Sequence, residues 1–205
     1  MERVVHIIDD DELWRAVLVE MLTKMGDLEV IEWESGDAFH EATGKQPGIA
    51  LIDVRMPGMS GTELLRQMDQ ARFLAIMMSG NAEIELAVEA VKRGAFDFLE
   101  KPCSIERLAQ TIAAGFETFR IRYQREMERA EVFAKFQGLS DREREVTREI
   151  VAGSTNREAG DKFGISVRTV EAHRARIMLK LGLPSFADVV RKAHECGFAK
   201  SRGET

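Results

Sequence analysis

Acidic side chains follow two of five short apolar runs in the first 120 residues. Asp9, Asp10 and Asp11 come directly after the first run, and Asp53 comes directly after the third. In an open parallel sheet, the carboxyl ends of neighbouring strands converge on one crevice, where ligands bind. Carboxylates gathered there repel one another unless a cation lies among them, and a few carboxylates with water suit Mg²⁺ better than Ca²⁺. The spacing therefore predicts a magnesium site.

A hydroxyl and an ammonium group follow two of the three remaining runs of this region. Ser79 ends the fourth run, and Lys101 comes just after the fifth. A carboxylate, a metal ion, a hydroxyl and an ammonium are the groups that phosphoryl transfer requires, because one oxygen attacks while cations and donors neutralise the transferred charge. Taken singly, an Asp after a strand is more often a helix N-cap than a ligand. Four strand ends that each carry the right group favour a phosphoryl-transfer site.

These groups need a sheet to bring them together, and the hydrophobic pattern predicts one. The short apolar runs predict strands at Val4–Ile8, Val30–Trp33, Ile49–Ile52, Leu74–Met78 and Phe96–Leu99. The segments between them have helical periodicity, over Leu13–Met25, Asp37–Thr43, Thr62–Met68, Ile84–Arg93 and from near Ile105. In the first helix one apolar stripe is expected to face the core, formed by Leu13, Val17 and Met21 with Leu18, Leu22 and Met25 beside them. The alternation predicts an α/β fold, a doubly wound five-stranded parallel sheet with helices on both faces.

Four motifs in this region resemble the receiver domain of two-component response regulators. They are Ile7–Asp11, Asp53–Gly61, Met78–Gly80 and Phe98–Pro102. The resemblance covers about residues 3–120, and it implies the flavodoxin-like form of the doubly wound fold.

The resemblance also implies roles for individual residues. Asp53 would be the phosphoacceptor, taking a phosphoryl group from a sensor histidine kinase. Asp10, Asp53 and the backbone carbonyl of Arg55 would hold Mg²⁺, and Asp9 would act on it through water. Asp11 lies outside the family's acidic pair and is interpreted as a cap or a solvated charge.

Further residues would sense the phosphoryl group or respond to it. The resemblance implies that Ser79 and Lys101 contact the phosphoryl oxygens and that Phe98 changes rotamer on activation, although a plain core aromatic explains Phe98 as well. Cys103 departs from the family, whose members often have an aromatic residue after Lys-Pro. Three arginines near the surface formed by the fourth and fifth strand–helix units are candidates for dimer ion pairs, or are simply solvated. They are Arg72, Arg93 and Arg107.

The last helix of this region has a periodicity that continues past residue 120. Apolar residues recur every three or four positions at Ile112, Phe116, Phe119, Tyr123, Met127 and Ala130. The pattern is typical either of a solvated surface helix or of a linker that pairs with its copy in a short coiled coil. Gly138 is expected to end the helix, and Ser140 with Glu143 to form the capping box of the next. The predicted organisation is a first domain over 1–120, a helical linker over 121–138 and a second domain over 139–205.

The second domain has helical patterns only. They cover Arg142–Ala152, Asn156–Phe163, Val167–Leu181 and Phe186–Glu195. Three motifs, Leu139–Val146, Asn156–Glu158 and Ile165–Arg174, resemble the LuxR-type helix-turn-helix over about residues 139–198. Together with the receiver, this places the chain near the NarL and FixJ regulators, and the Arg55–Gly61 loop favours the FixJ type.

The third helix of this domain is the expected recognition helix. Val170, Ile177 and Leu181 are predicted to face inward, with His173 between them as a packing residue. The opposite face would enter the major groove of double-stranded DNA. Its predicted base-facing residues are Glu171, Ala172 and Ala175, and its predicted phosphate contacts are Arg168, Thr169, Arg174 and Lys180.

Two features of this domain leave alternatives open. Ala159-Gly160 is smaller than the family's usual pair, so we expect a looser scaffold helix, with Phe163 as the side chain that would fill the gap. Apolar residues of the last helix, such as Phe186 and Val190, either close the core or join two DNA-bound copies on a palindromic site.

Composition agrees with a cytoplasmic, DNA-binding protein. Residues 1–120 carry 22 acidic and 12 basic side chains, a net charge of −10, whereas residues 121–205 carry 13 acidic and 17 basic, a net of +4. A polyanionic partner is therefore expected at the C-terminal end. The two cysteines are far apart and have no metal-ligand spacing, and the first apolar run is too short for a signal peptide or a membrane span.

The predicted function is a transcriptional regulator whose phosphorylated form dimerises and binds DNA, with RNA polymerase left open as a further partner. The chain is not expected to be an enzyme, beyond assisting its own phosphorylation and dephosphorylation. Two alternatives remain. One is a receiver that interacts with partners independently of phosphorylation. The other is a haloacid-dehalogenase-like phosphatase, for which Asp9-Asp10-Asp11 has the required Asp-x-Asp spacing but the chain has no room for a cap domain.

Overall fold

The computed structural model describes residues 2–81 and 84–200, of which Lys200 is described by its backbone alone. The chain forms two compact units, of which the first ends at Tyr123 and the second begins at Gln124. In the described part of the chain, no helix is both long enough and apolar enough to span a bilayer.

The first unit is the predicted parallel sheet. Its strands are β1 (Val4–Ile8), β2 (Glu29–Trp33), β3 (Gly48–Asp53), β4 (Phe73–Ser79) and β5 (Asp97–Glu100). All pairs are parallel, and the strands lie in the order β2-β1-β3-β4-β5. The helices that connect them are α1 (Glu12–Thr23), α2 (Gly36–Glu41), α3 (Gly61–Gln67), α4 (Ile84–Lys92) and α5 (Ile105–Gln137). The doubly wound fold class is thereby confirmed.

A hydrophobic core covers each face of this sheet. One cluster includes Ile52, Leu64 and Phe73, and the other includes Leu18, Leu51 and Ile112. The expectation for α1 was wrong at two positions, because Leu13 is 80% exposed and Val17 is 43% exposed. The buried line of α1 instead runs through Leu18 and Leu22, with Trp14 packed beside it.

A histidine lies in the middle of the sheet without contact with solvent. His6 on β1 is fully buried against the rings of Trp33, Phe39 and Phe73. Its Nε2 lies 2.8 Å from the carbonyl oxygen of Gln46, and its Nδ1 accepts a hydrogen bond of 3.1 Å from Trp33 Nε1. Nε2 is therefore the protonated nitrogen of a neutral ring. Burial lowers the pKa of His6, and the hydrogen bond to Gln46 opposes that effect.

The first unit should therefore lose stability in mild acid. The unfolded chain binds a proton at His6 near pH 6.5, whereas the folded chain resists it. Above pH 6.5 the contribution of neutral His6 to the free energy of unfolding is fully present. As the pH falls below 6.5, the free energy of unfolding should decrease by about 1.4 kcal/mol per pH unit, until the pH passes the folded-state pKa of His6. Urea unfolding can be followed by tryptophan fluorescence, since both tryptophans of the chain, Trp14 and Trp33, belong to the first unit.

A non-titrating variant tests the assignment of this slope. His6→Phe should remove most of it, whereas His40→Gln, which changes an exposed histidine on α2, should keep it. If the wild-type slope persisted in His6→Phe, His6 would not be its source.

Helix α5 has 33 residues and contributes side chains to the cores of both units. Phe119 is fully buried in the first core and Phe136 in the second. The first unit extends three residues past position 120, because Arg122 donates a 2.7 Å hydrogen bond to the carbonyl of Phe73 and Tyr123 packs on Phe119. Met127 is 53% exposed, and pairing of this segment with a second copy stays a prediction.

The second unit is all helical as far as it is described, up to Lys200. It contains α6 (Asp141–Val151), α7 (Asn156–Phe163), α8 (Val167–Leu181), α9 (Phe186–Glu195) and a 3₁₀ turn at Phe198–Lys200. The predicted capping box of Ser140 and Glu143 starts α6. Glycines in the left-handed conformation, Gly164 and Gly182, end α7 and α8.

The small pair in α7 does not leave a gap. Ala159 is fully buried in the core. A Cβ atom on Gly160 would lie 2.8 Å from the carbonyl oxygen of Ile165, and the amide of Ile165 donates to the carbonyl of Gly160 at 3.0 Å. Glycine lets the turn before α8 lie close against α7. Phe163 packs half-buried against the same core, and looser packing of α7 as a whole stays a prediction.

The apolar side of α9 closes the same core. Phe186, Val189 and Ala193 are buried in it, and Val190 packs against it half-buried. This is the first of the two alternatives for α9. A contact between two DNA-bound copies through α9 stays a prediction.

Candidate functional site

The strand order brings the predicted acidic residues to one edge of the sheet. β1 and β4 both pair with β3, so the ends of these three strands are neighbours. Asp53 is the last residue of β3, Asp9 follows β1 directly, and Ser79 is the last residue of β4. Asp9 and Asp53 are only 2% and 7% exposed, so their carboxylates lie in the crevice rather than in bulk solvent.

Lys101 connects these carboxylates. Its Nζ lies 2.5 Å from Asp9 Oδ2 and 2.5 Å from Asp53 Oδ1, and its side chain is 15% exposed. The amide of Lys101 donates to the carbonyl of Ser79 at 2.8 Å, which fixes the residue to the end of β4. Burial raises the pKa of Asp9, while its hydrogen bond with Lys101 acts in the opposite direction. Two buried carboxylates and one ammonium thus share a largely dehydrated crevice.

The same carboxylates have the arrangement of a metal site. One oxygen each from Asp9, Asp10 and Asp53 can be chosen so that all lie within 4.8 Å of one another. The donors are oxygen only, and Asp10 is exposed. This fits a hard divalent ion that keeps several waters, as Mg²⁺ does. The amide of Arg55 donates a 2.9 Å hydrogen bond to Asp53 Oδ2, so the start of the following loop lies beside the carboxylate of Asp53.

Asp11 belongs to the helix rather than to the crevice. Its Oδ1 accepts hydrogen bonds from the amides of Leu13 at 2.9 Å and Trp14 at 3.2 Å, which makes it the N-cap of α1. Its own amide donates to Asp9 Oδ1 at 3.1 Å. The cap interpretation of Asp11 is therefore correct, and its backbone helps to orient Asp9.

The residues predicted to sense the phosphoryl group lie at the ends of β4 and β5. The buried hydroxyl of Ser79 donates to the carbonyl of Asn81 at 3.0 Å and accepts from its amide at 3.2 Å. Phe98 on β5 is half-buried and packs against one core cluster. Cys103 packs against the other cluster, and burial raises the pKa of its thiol.

The three arginines proposed for dimer contacts have partners within the chain. The guanidinium of Arg107 lies 2.8 Å from Asp97, and that of Arg93 lies 2.6 Å from Glu89 one helical turn away. Arg72 donates to the carbonyl of Lys45. A role in dimer ion pairs would require these side chains to exchange partners, so we do not assign it.

Helix α8 presents most of the predicted DNA-contacting residues on one exposed face. Val170 and Ile177 are fully buried, as predicted, and they orient the helix. Ser166 caps its first turn by accepting from the amide of Thr169 at 3.1 Å. The exposed residues of the predicted DNA face are Arg168, Thr169, Glu171, Ala172, Ala175 and Lys180.

Two predicted phosphate contacts are bound within the protein. Arg174 donates to Asn156 Oδ1, and its guanidinium lies 4.3 Å from the centre of the Phe186 ring. Lys180 Nζ lies 2.7 Å from Glu143, whose carboxylate is 5% exposed, and this pairing is the main cause that lowers the pKa of Glu143 to about 2. We therefore leave Arg174 out of the proposed DNA face, whereas Lys180, whose side chain is 50% exposed, stays a predicted phosphate contact that would have to leave Glu143. Both were chosen because they are cations, and the sequence does not show which groups of neighbouring helices a cation will bind.

Comparison with known proteins gives two family matches. Residues 5–113 match the response regulator receiver domain, and residues 137–193 match the luxR family of bacterial regulatory proteins. The first match lies within the first compact unit, and the second match lies within the second.

Relatives with the same organisation cover nearly the whole chain. The transcriptional regulatory protein FixJ of Azorhizobium caulinodans is 39% identical over 204 residues, which is 98% of this chain and 96% of that protein. Full-length FixJ from B. japonicum is 34% identical with a TM-score of 0.56, over 97% of this chain and 98% of that one. A structure of the response regulator StyR has 29% identity and a TM-score of 0.71, over 95% of this chain and 100% of that one.

Proposed function

We infer the function of this chain from its family, since it belongs to the FixJ-like response regulators that join a receiver domain to a LuxR-type DNA-binding domain. Such a protein regulates transcription, and a kinase controls it by phosphorylating the receiver. We propose that Asp53 is the phosphoacceptor here. Asp10, Asp53 and the carbonyl of Arg55 would hold Mg²⁺, and Asp9 would act on it through water.

The observation that carries this assignment is the position of Lys101 between Asp9 and Asp53. A phosphoryl group on Asp53 would enter a crevice that already holds an ammonium 2.5 Å from the acceptor oxygen. Mg²⁺ would neutralise further charge on the transferred group when it is bound. The hydroxyl of Ser79, which donates to the carbonyl of Asn81 in this structure, would turn to the phosphoryl oxygens. Half-buried Phe98 would then change its rotamer.

The DNA-binding half of the proposal rests on the exposed face of α8. Glu171, Ala172 and Ala175 would meet base edges in the major groove, and Arg168, Thr169 and Lys180 would meet phosphates. We propose a palindromic site bound by a phosphorylated homodimer in the cytoplasm, with RNA polymerase as a further partner. We place the receiver boundary at Tyr123, because Arg122 and Tyr123 are bound to the first unit.

The phosphatase alternative does not fit the geometry. It needs both carboxylates of an Asp-x-Asp motif at the reaction centre, and here the carboxylate of Asp11 is the N-cap of α1. The activity that remains for the receiver is its own phosphorylation and dephosphorylation.

Phosphorylation and dimerisation can be tested together in solution. Beryllofluoride with Mg²⁺, which imitates an aspartyl phosphate, should convert monomer to dimer in light scattering. It should also strengthen binding to a palindromic site more than binding to its half-site. Only the whole site binds both copies of a dimer at once, so only there does dimerisation add to the affinity. The matched controls are beryllofluoride with EDTA and Mg²⁺ alone. A dimer population that is the same in all three conditions would contradict coupling between the receiver site and assembly.

A further inference from the structure

The loop from Val54 to Ser60 connects the phosphoacceptor strand β3 to helix α3. Its two ends are held together, because the amide of Gly61 donates to the carbonyl of Val54 at 3.1 Å. The approach is so close that a Cβ atom on Gly61 would lie 2.0 Å from the carbonyl oxygen of Asp53. The base of the loop is therefore fixed to the strand, and its tip needs a separate anchor.

Asp37 on α2 supplies that anchor, although it is distant in sequence. Its Oδ2 accepts a 2.8 Å hydrogen bond from the amide of Met59. Gly58, at φ +72°, passes so near that a Cβ there would lie 2.3 Å from the same carboxylate oxygen. A Cβ on Gly36 would likewise lie 2.6 Å from the carbonyl oxygen of Met59. The first turn of α2 and the loop tip thus fit each other closely.

The inner side of the loop is held by the core. Met56 is buried in the hydrophobic cluster that also contains Ile52 and Leu64, and Met59 packs against that cluster half-buried. The loop is therefore held to the core by apolar side chains, which include Val54 as well as the two methionines, and its tip is held by one carboxylate. Of these restraints, the carboxylate is the one that a single substitution removes without opening a cavity.

We propose that Asp37 is a positioning residue for the phosphoacceptor site. Through Met59 it would hold the loop in which the amide of Arg55 donates to Asp53 Oδ2, and so keep the carbonyl of Arg55 in place for Mg²⁺. The proposal rests on the proposed function, because it takes that carbonyl as a metal ligand. Partners that orient metal ligands contribute to metal affinity without touching the ion.

The test is a Mg²⁺ titration of Asp37→Ala. Fluorescence of Trp14 is a suitable probe, since Lys101 Nζ lies 5.8 Å from the centre of its ring. The dissociation constant for Mg²⁺ should rise about tenfold or more. The matched control is Asp69→Ala, which removes a similar carboxylate–amide hydrogen bond, to Ala71 at 3.0 Å, and should leave the dissociation constant unchanged.

Two further measurements separate positioning from general damage. Without metal, the amide of Met59 should exchange with deuterium faster in Asp37→Ala, while the amides of β3 keep their protection. Asp37→Asn, which keeps an acceptor oxygen, should recover most of the affinity. Faster exchange at Met59 with an unchanged Mg²⁺ affinity would overturn the positioning role of Asp37 and leave the proposed function standing. A wild-type protein without Mg²⁺ affinity would overturn the proposed function and this inference with it.

Discussion

Asp53→Asn is expected to abolish phosphorylation of the chain by a small phosphoryl donor or by its kinase, with a loss of more than about a hundredfold. The amide has no nucleophilic oxygen and does not attract a cation as the carboxylate does. In the wild type, Asp53 Oδ1 lies against Lys101 and Oδ2 accepts from the amide of Arg55. The substitution keeps the size of the side chain, so the fold should survive.

The neighbouring Asp11 provides a control of the same kind. Asp11→Asn is also isosteric, and asparagine caps a helix about as well as aspartate does. This variant should be phosphorylated like the wild type, because the carboxylate of Asp11 is bound to the first turn of α1. Intact-mass spectrometry after incubation with donor and Mg²⁺ measures both variants. A full gain of one phosphoryl group in Asp53→Asn would mean that another residue is the acceptor.

The fold could be predicted from the sequence where a short motif, such as a helix cap, agrees with the helix or strand that the hydrophobic period predicts. Ser140 and Glu143 show why, because a capping box is encoded within four residues and forms in the structure. The exposed positions Leu13 and Val17 show the limit. Both positions fit the helical period, but the apolar stripe of α1 is wider than the side of the helix that the sheet covers. The sequence does not show which side of such a stripe is left exposed.

The acidic crevice could be predicted because topology alone places strand ends together. Asp9, Asp53 and Ser79 needed only a parallel sheet with β3 between β1 and β4. Contacts between side chains that are distant in sequence could not be found in this way. The hydrogen bond from Met59 to Asp37 joins residues 22 positions apart, and no local pattern predicts that the two are in contact.

Side-chain direction also explains the revised DNA face. Arg168 and Arg174 are both cations on α8, six residues apart, and the sequence gives them the same role. In the structure Arg168 is exposed, whereas Arg174 is bound to Asn156 and Phe186 from neighbouring helices. Arg174 therefore packs between helices, and of the two residues only Arg168 is predicted to contact phosphate.

Substitutions in α8 should separate base contacts from phosphate contacts. Arg168→Ala should weaken binding to all DNA sequences alike and reduce the dependence of log affinity on log salt by about one, as expected for one lost phosphate contact. Glu171→Ala should instead change preference at particular base pairs, by about 1–3 kcal/mol, and leave the salt dependence nearly the same. Binding to a set of single-base operator variants at several salt concentrations measures both effects.

Arg174→Ala is the matched control for Arg168→Ala, because it removes the same charge from the same helix. We expect it to destabilise the second unit through the lost packing on Phe186, and to leave the salt dependence of the folded protein unchanged. Stability is read from thermal unfolding, and salt dependence is read where the variant is fully folded. If Arg174→Ala reduced the salt dependence as Arg168→Ala does, the guanidinium would leave Phe186 for a phosphate on binding. If Glu171→Ala weakened all sequences equally, the groove face would have been assigned to the wrong side of α8.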